Sequence, residues 1–69
     1  MTKAQIVYLT KRQNEVLDIL SSEGLSNKGI ANRLGISDHT VKVHITAILK
    51  AYSMTSRIEL IMHVNEYGK

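Results

Sequence analysis

The sequence contains no cysteine, no proline, no tryptophan and no phenylalanine. Without cysteine, disulfide scaffolding and thiolate metal sites are both excluded, and nothing in the chain requires an oxidising compartment. Without Trp or Phe, the core has to be built from Leu, Ile and Val. No apolar run approaches the ~20 residues that cross a bilayer. Residues 1–9 lack the apolar stretch of about 7–15 residues that a secretory signal needs. The expectation is a cytoplasmic, nucleoid-associated chain with no membrane contact. At 69 residues the chain makes a single domain spanning 1–69, with its core at about 8–66. A domain of this size buries only about 60% of its unfolded surface, which leaves no room for a large catalytic cavity.

What is present is helical patterning with clear punctuation. Thr10 with Gln13 three residues later is a capping-box pattern, and Val16, Leu17 and Leu20 follow at helical spacing until Gly24 ends the segment. Ser26 caps a second segment from Asn27 to Leu34 with Ile30, Ala31 and Leu34 on its buried face. Gly29 stands where a capping-box Glu or Gln would help, so this start is weaker than the first. Ser37 caps a third helix from Asp38 to about Ala51. Thr55 or Ser56 caps a last helix from Arg57 to about Glu66, Ser56 with Glu59 completing another capping box, and beyond it Gly68 and Lys69 fray. Strict apolar/polar alternation never extends beyond a few residues, so strands are not expected.

The centre of the chain, Ile30-Ala31-Asn32-Arg33-Leu34-Gly35-Ile36-Ser37-Asp38-His39-Thr40-Val41, carries the sharpest signal. Ala31 lets two helices approach closely. Gly35 can take the positive φ of a tight inter-helix turn, Ile36 plugs that turn, and Val41 packs back. This is the helix-turn-helix pattern, in which the second helix reads DNA. On the third helix, Val41, Ile45, Ile48, Leu49 and Tyr52 fall within an arc of roughly 100° and face the core. His39, Val43, Thr46, Ala47 and Lys50 lie opposite, flanked by Lys42 and His44.

A lone Val on a solvated face is common. Beside the turn motif, however, Lys, His, Thr and Val on one outward face suit base reading better. Lys donates to guanine O6 and N7, while Val or a Thr methyl touches the thymine methyl. Phosphate contacts are expected from the capped starts of the second and third helices, at Ser26, Asn27 and Lys28 and at Ser37 and Thr40. Asp38 would repel phosphate; it either accepts from a cytosine N4 amine or, the favoured reading, complements the helix dipole. The net charge of +3 suits a polyanionic partner without requiring one.

Ile58, Leu60, Ile61, Met62, Val64 and Tyr67 spread over roughly 220° of the last helix, whereas one core contact occupies a stripe little wider than 100°. A two-fold contact with a second copy would cover the excess. Leu60, Ile61, Val64 and Tyr67 are the candidates for that seam, and the pattern leaves open which side of the arc is core.

Leu9-Thr10, Glu15-Val16-Leu17, Gly24-Leu25-Ser26-Asn27-Lys28, Ile30-Ala31, Leu34-Gly35-Ile36-Ser37 and Thr40-Val41-Lys42-Val43-His44 together resemble the LuxR/NarL-type (GerE-like) domain. Ile48-Leu49, Ser56-Arg57 and Leu60 continue the match in register, so that it covers about residues 8–65. The resemblance implies an all-α, four-helix helix-turn-helix domain without a wing, a transcription regulator that binds DNA as a dimer through its last helix. It places Lys42, Val43 and Thr46 at the bases, with His39 on the same face. Asn27, Lys28, Thr40, His44 and Lys50 lie near the backbone, and Arg57 ties the fourth helix to the third. The chain departs from the family at Lys11, where Pro is frequent, at Gly29, where Glu is frequent, and at Thr46, often a larger polar or basic residue. It departs again across Ala51-Tyr52-Ser53-Met54, where a Lys-Leu-Gly/Asn-Val sequence is common.

Double-stranded DNA and a second copy of the chain are therefore the expected partners, with RNA polymerase or a larger regulator as further candidates. An antagonist that pairs with a larger regulator of this type and blocks its DNA binding is the competing protein-binding reading. A sigma-factor region-four-like module is disfavoured by Lys42-Val43-His44 and by the apolar last helix. His39, His44 and His63 are scattered and lack Cys partners, so no metal or other cofactor is expected. Glu15 and Asp18 have no nucleophile or Gly-rich phosphate loop beside them, and enzymatic activity is not expected. The sequence leaves open whether this is a free-standing chain or a piece of a longer regulator.

Overall fold

The computed structural model describes residues 7–69; the earlier part of the 1–9 stretch discussed above lies outside them. Four helices follow one another, α1 (Lys11–Glu23), α2 (Asn27–Leu34), α3 (Asp38–Ala51) and α4 (Arg57–Tyr67), with no strand among the described residues.

Each helix begins where a side-chain oxygen satisfies an N–H that the first turn would otherwise leave unpaired. At α1 both arms of the capping box form: the Gln13 N–H donates to Thr10 Oγ1 at 3.1 Å, and the Thr10 N–H to Gln13 Oε1 at 2.9 Å. Ser26 Oγ accepts from the Gly29 N–H and Ser37 Oγ from the Thr40 N–H. At α4 the box is shifted. Ser56 Oγ accepts from the Glu59 N–H as expected, but the Glu59 carboxylate reaches back to the Thr55 N–H rather than to that of Ser56.

Two helix ends explain the turns on either side of α3. Gly35 adopts φ 69°, and the N–H groups of Gly35 and Ile36 both turn back to the Ala31 carbonyl, so the chain reverses tightly between α2 and α3. At the far end of α3 the same geometry falls on a non-glycine: Ser53 adopts φ 56°, and the Met54 N–H bonds to the Leu49 carbonyl at 2.9 Å.

The core contains Val16, Leu17 and Leu20 from α1, Ile30 and Ala31 from α2, Val41, Ile45 and Ile48 from α3, then Tyr52, and Leu60 and Val64 from α4. Leu34 and Leu49, both expected inside, are half-buried at its edge. α3 packs on α1 and α2, while α4 packs chiefly on α1.

That arrangement corrects the reading of the last helix. Leu60 (0% exposed) and Val64 (9%) are core residues of the single chain, so they have no free surface to give to a second copy. The exposed apolar stripe lies elsewhere: Ile58, Ile61 and Met62 fall within about 100° of one another around the helix, and Ile58 and Met62 are the exposed pair. Tyr67 is exposed but lies off that stripe, its ring 5.1 Å from that of His63, which in turn meets Tyr52 edge-on at 5.6 Å. The end of the chain is also tied more than expected. The Gly68 N–H closes on the Val64 carbonyl, and Lys69 pairs with Asp18 on α1.

Candidate nucleic-acid interface

The surface of α3 divides as its 3.6-residue period requires. Val41, Ile45 and Ile48 are buried, whereas His39, Lys42, Val43, Thr46 and Lys50 are exposed. His39, Val43, Thr46 and Lys50 share a face only about 60° wide, with Lys42 on one flank and His44, half-buried, on the other. Val43 is 52% exposed. An isolated branched apolar side chain therefore stands among polar ones at the middle of an outward helix face.

The start of α3 is chemically suited to an anion. Ser37 Oγ accepts the Thr40 N–H at 3.0 Å and lies 2.8 Å from Thr40 Oγ1. Whichever hydroxyl donates in that contact, one hydroxyl hydrogen of the pair is left for an outside acceptor. Ser26, with its oxygen committed to the Gly29 N–H, retains its hydroxyl hydrogen in the same way. Asn27 is half-buried, and its Oδ1 accepts from Arg57, which also donates to the Leu25 carbonyl. Arg57 was expected to join α4 to α3; it joins α4 to the start of α2 instead. The partial burial of this guanidinium depresses its pKa.

The charges are partitioned by side. Arg12 pairs with Glu15, Arg33 with Glu23, and Lys69 with Asp18, so each of these pairs holds a residue of α1. Among the described residues no ion pair engages Lys28, Lys42 or Lys50. Within the chain, Arg12, Arg33 and Lys69 are thus neutralised beside α1, whereas Lys11 and the lysines of α2 and α3 that were assigned to DNA are not. A mild net charge becomes a directed field through this placement.

Sequence reasoning gave Arg57 the wrong partners and missed the bidentate Glu23–Arg33 pair. One signal for the first was available. A cation at the first position of a helix opposes the macrodipole, so Arg57 needed oxygen acceptors from outside its own helix.

The GerE family model, bacterial regulatory proteins of the luxR family, matches residues 7–64. The chain belongs to the luxR family. Its relatives include the nitrate/nitrite response regulator protein NarL of Escherichia coli (strain K12), 38% identical over 65 residues, which are 94% of this chain and 30% of NarL. The nitrate/nitrite response regulator protein NarP of the same strain is 50% identical over 50 residues, 72% of this chain and 23% of NarP. A glycerol metabolism activator of Pseudomonas putida is 38% identical over 58 residues, 84% of this chain and 26% of that protein. The chain thus spans less than a third of each of these relatives. What it shares with them is the luxR-type helix-turn-helix domain, a DNA-binding module of transcription regulators and not an enzyme. No helix among the described residues is long and apolar enough to cross a membrane.

Proposed function

We propose that this luxR-type domain binds DNA sequence-specifically by laying α3 lengthwise in the major groove. In this reading Lys42, Val43, Thr46 and His39 face the bases. Ser26, Asn27, Lys28, Ser37, Thr40, His44 and Lys50 face the sugar–phosphate backbone. The observation that carries it is the outward face of α3, where exposed Val43 stands among Lys42, Thr46 and Lys50 and neither lysine has an acidic partner among the described residues. Lys42 supplies a donor for guanine O6 and N7, and Val43 with the Thr46 methyl supplies apolar contact for a thymine methyl. The free hydroxyl hydrogens at the starts of α2 and α3 supply neutral phosphate donors, which set register without reading sequence.

The functional unit is a homodimer whose seam is the Ile58, Ile61 and Met62 stripe of α4. Two features support this reading: the exposure of Ile58 and Met62, and the way a two-fold protein contact mirrors two-fold DNA half-sites. Of the four seam candidates taken from the sequence, Ile61 alone lies on that stripe.

Selection of bound duplexes from a random pool tests both parts. The expected product is an enriched site with two-fold symmetry, with enrichment at its specific positions weakened by Lys42→Ala. A wild-type chain that binds no duplex even at low salt, where phosphate contacts count most, would sink the reading.

A further inference from the structure

Arg57 presents an electrostatic puzzle. It opens α4, and its guanidinium lies against the start of α2, so the cation sits beside the positive ends of two helices, where a carboxylate would be favoured. Both of its acceptors, Asn27 Oδ1 and the Leu25 carbonyl, are neutral. Among the described residues no carboxylate forms an ion pair with it. Fastening α4 to α2 would be easier with an uncharged donor, which makes no demand on the local field.

The answer lies in what Arg57 does to Asn27. A carboxamide is planar, with its acceptor oxygen and its NH2 group on opposite branches. A free Asn side chain at this position turns either branch outward, and the oxygen would repel a phosphate. Guanidinium donates and cannot accept, so its bond to Oδ1 selects one orientation. The Asn27 Nδ2 is left pointing away from the clasp on a half-exposed side chain, with no acceptor bonded to it among the described residues.

We propose that Arg57 is a positioning residue for DNA binding: by holding Asn27 Oδ1 it fixes the Asn27 NH2 outward as a donor to a backbone phosphate. The inference rests on the preceding reading that the start of α2 meets phosphate. Because Arg57 is the first residue of α4, it also gives the proposed dimer helix a direct mechanical link to a DNA contact.

The test uses the 69-residue chain and a short labelled mixed-sequence duplex at low salt, with fluorescence anisotropy and thermal melting measured together. Asn27→Asp keeps an oxygen for Arg57 and adds an acid to the first turn of α2, so the melting temperature holds or rises. It also replaces the outward donor with a repelling oxygen, and affinity falls by about tenfold or more. Asn27→Ala, which adds no charge, also loses about tenfold in affinity, whereas a purely structural contact would leave the affinity of the folded chain unchanged. Arg57→Gln loses affinity by about tenfold, and loses nothing further when Asn27 is already Ala, because the two residues act in series.

Wild-type affinity in Asn27→Asp, or losses in Arg57→Gln and Asn27→Ala that simply add, would overturn the inference. Should Arg57→Gln not fold, Asn27→Asp and the uncharged Asn27→Ala decide together. Failure of the wild-type chain to bind the duplex would bring down the groove reading and this inference together. Normal binding that is weakened by Lys28→Ala, a phosphate contact, and indifferent to Asn27→Asp would bring down this inference alone.

Discussion

Glu23 and Arg33 meet as a two-armed pair, each carboxylate oxygen accepting from a separate terminal guanidinium nitrogen at 2.6 Å, and the end of α1 is thereby fastened to the last turn of α2. The hydrogen bonds from Arg33 hold the Glu23 carboxyl below its ordinary value of 4.5. A carboxylate lowered on folding contributes stability that is fully present above the unfolded value and is lost as pH falls through the folded one. Denaturant melts of wild type and Glu23→Gln should therefore differ at neutral pH and converge in acid below that ordinary value. The side chains are 51% and 39% exposed, so the difference is small at any pH. A gap that persists undiminished into strong acid contradicts the assignment.

Leu60 and Met62 are two residues apart on α4 and should respond in opposite ways. Leu60 is fully buried, so Leu60→Ala should cost about 2–5 kcal/mol of folding stability by opening a cavity. Met62 is 66% exposed, and Met62→Ala should stay within about 0.5 kcal/mol for the single chain. Sedimentation should nevertheless show Met62→Glu weakening self-association. A dimer unaffected by charge at position 62 would place the seam elsewhere.

Ser53 holds a left-handed conformation, φ 56°, where a side chain is strained relative to glycine. Ser53→Gly should raise stability by about 0.5–1 kcal/mol in thermal melts. The reverse sign is expected at the other turn: Gly35→Ala, at φ 69° with open space around the added carbon, should lose about 1–2 kcal/mol from backbone strain alone. Equal effects at the two sites would refute the strain argument.

Lys28 and Lys42 separate phosphate from base contact. Lys28→Ala should weaken binding to all duplexes alike and make the salt dependence shallower by about one unit of slope. Lys42→Ala should lose about 1–3 kcal/mol on a selected site and much less on unrelated DNA. Uniform losses from both substitutions would assign Lys42 to the backbone.

Much of this domain could be read before any coordinates. The helix starts at Thr10, Ser26, Ser37 and Ser56 and the turn at Gly35 follow from local chemistry, since capping needs a side-chain oxygen within three residues and a left-handed turn favours glycine. The division of α3 into a buried Val41, Ile45 and Ile48 stripe and an outward Val43 face follows from helical period alone. Leu60 and Val64, two of the seam candidates, lie in the core instead. α4 is apolar over too much of its circumference for period to say which side α1 will cover, and only the packing of the two helices settles it.

The contacts that govern the electrostatics are likewise long-range. Arg33 with Glu23 and Arg57 with Asn27 join residues on different helices, and Lys69 with Asp18 joins the chain's last residue to α1. Composition supplies the charges but does not say which will meet. Local sequence determined what each helix is and where it stops, because those interactions span three or four residues. The tertiary structure decided which cations stay free for a partner, because neutralisation depends on which helices lie side by side.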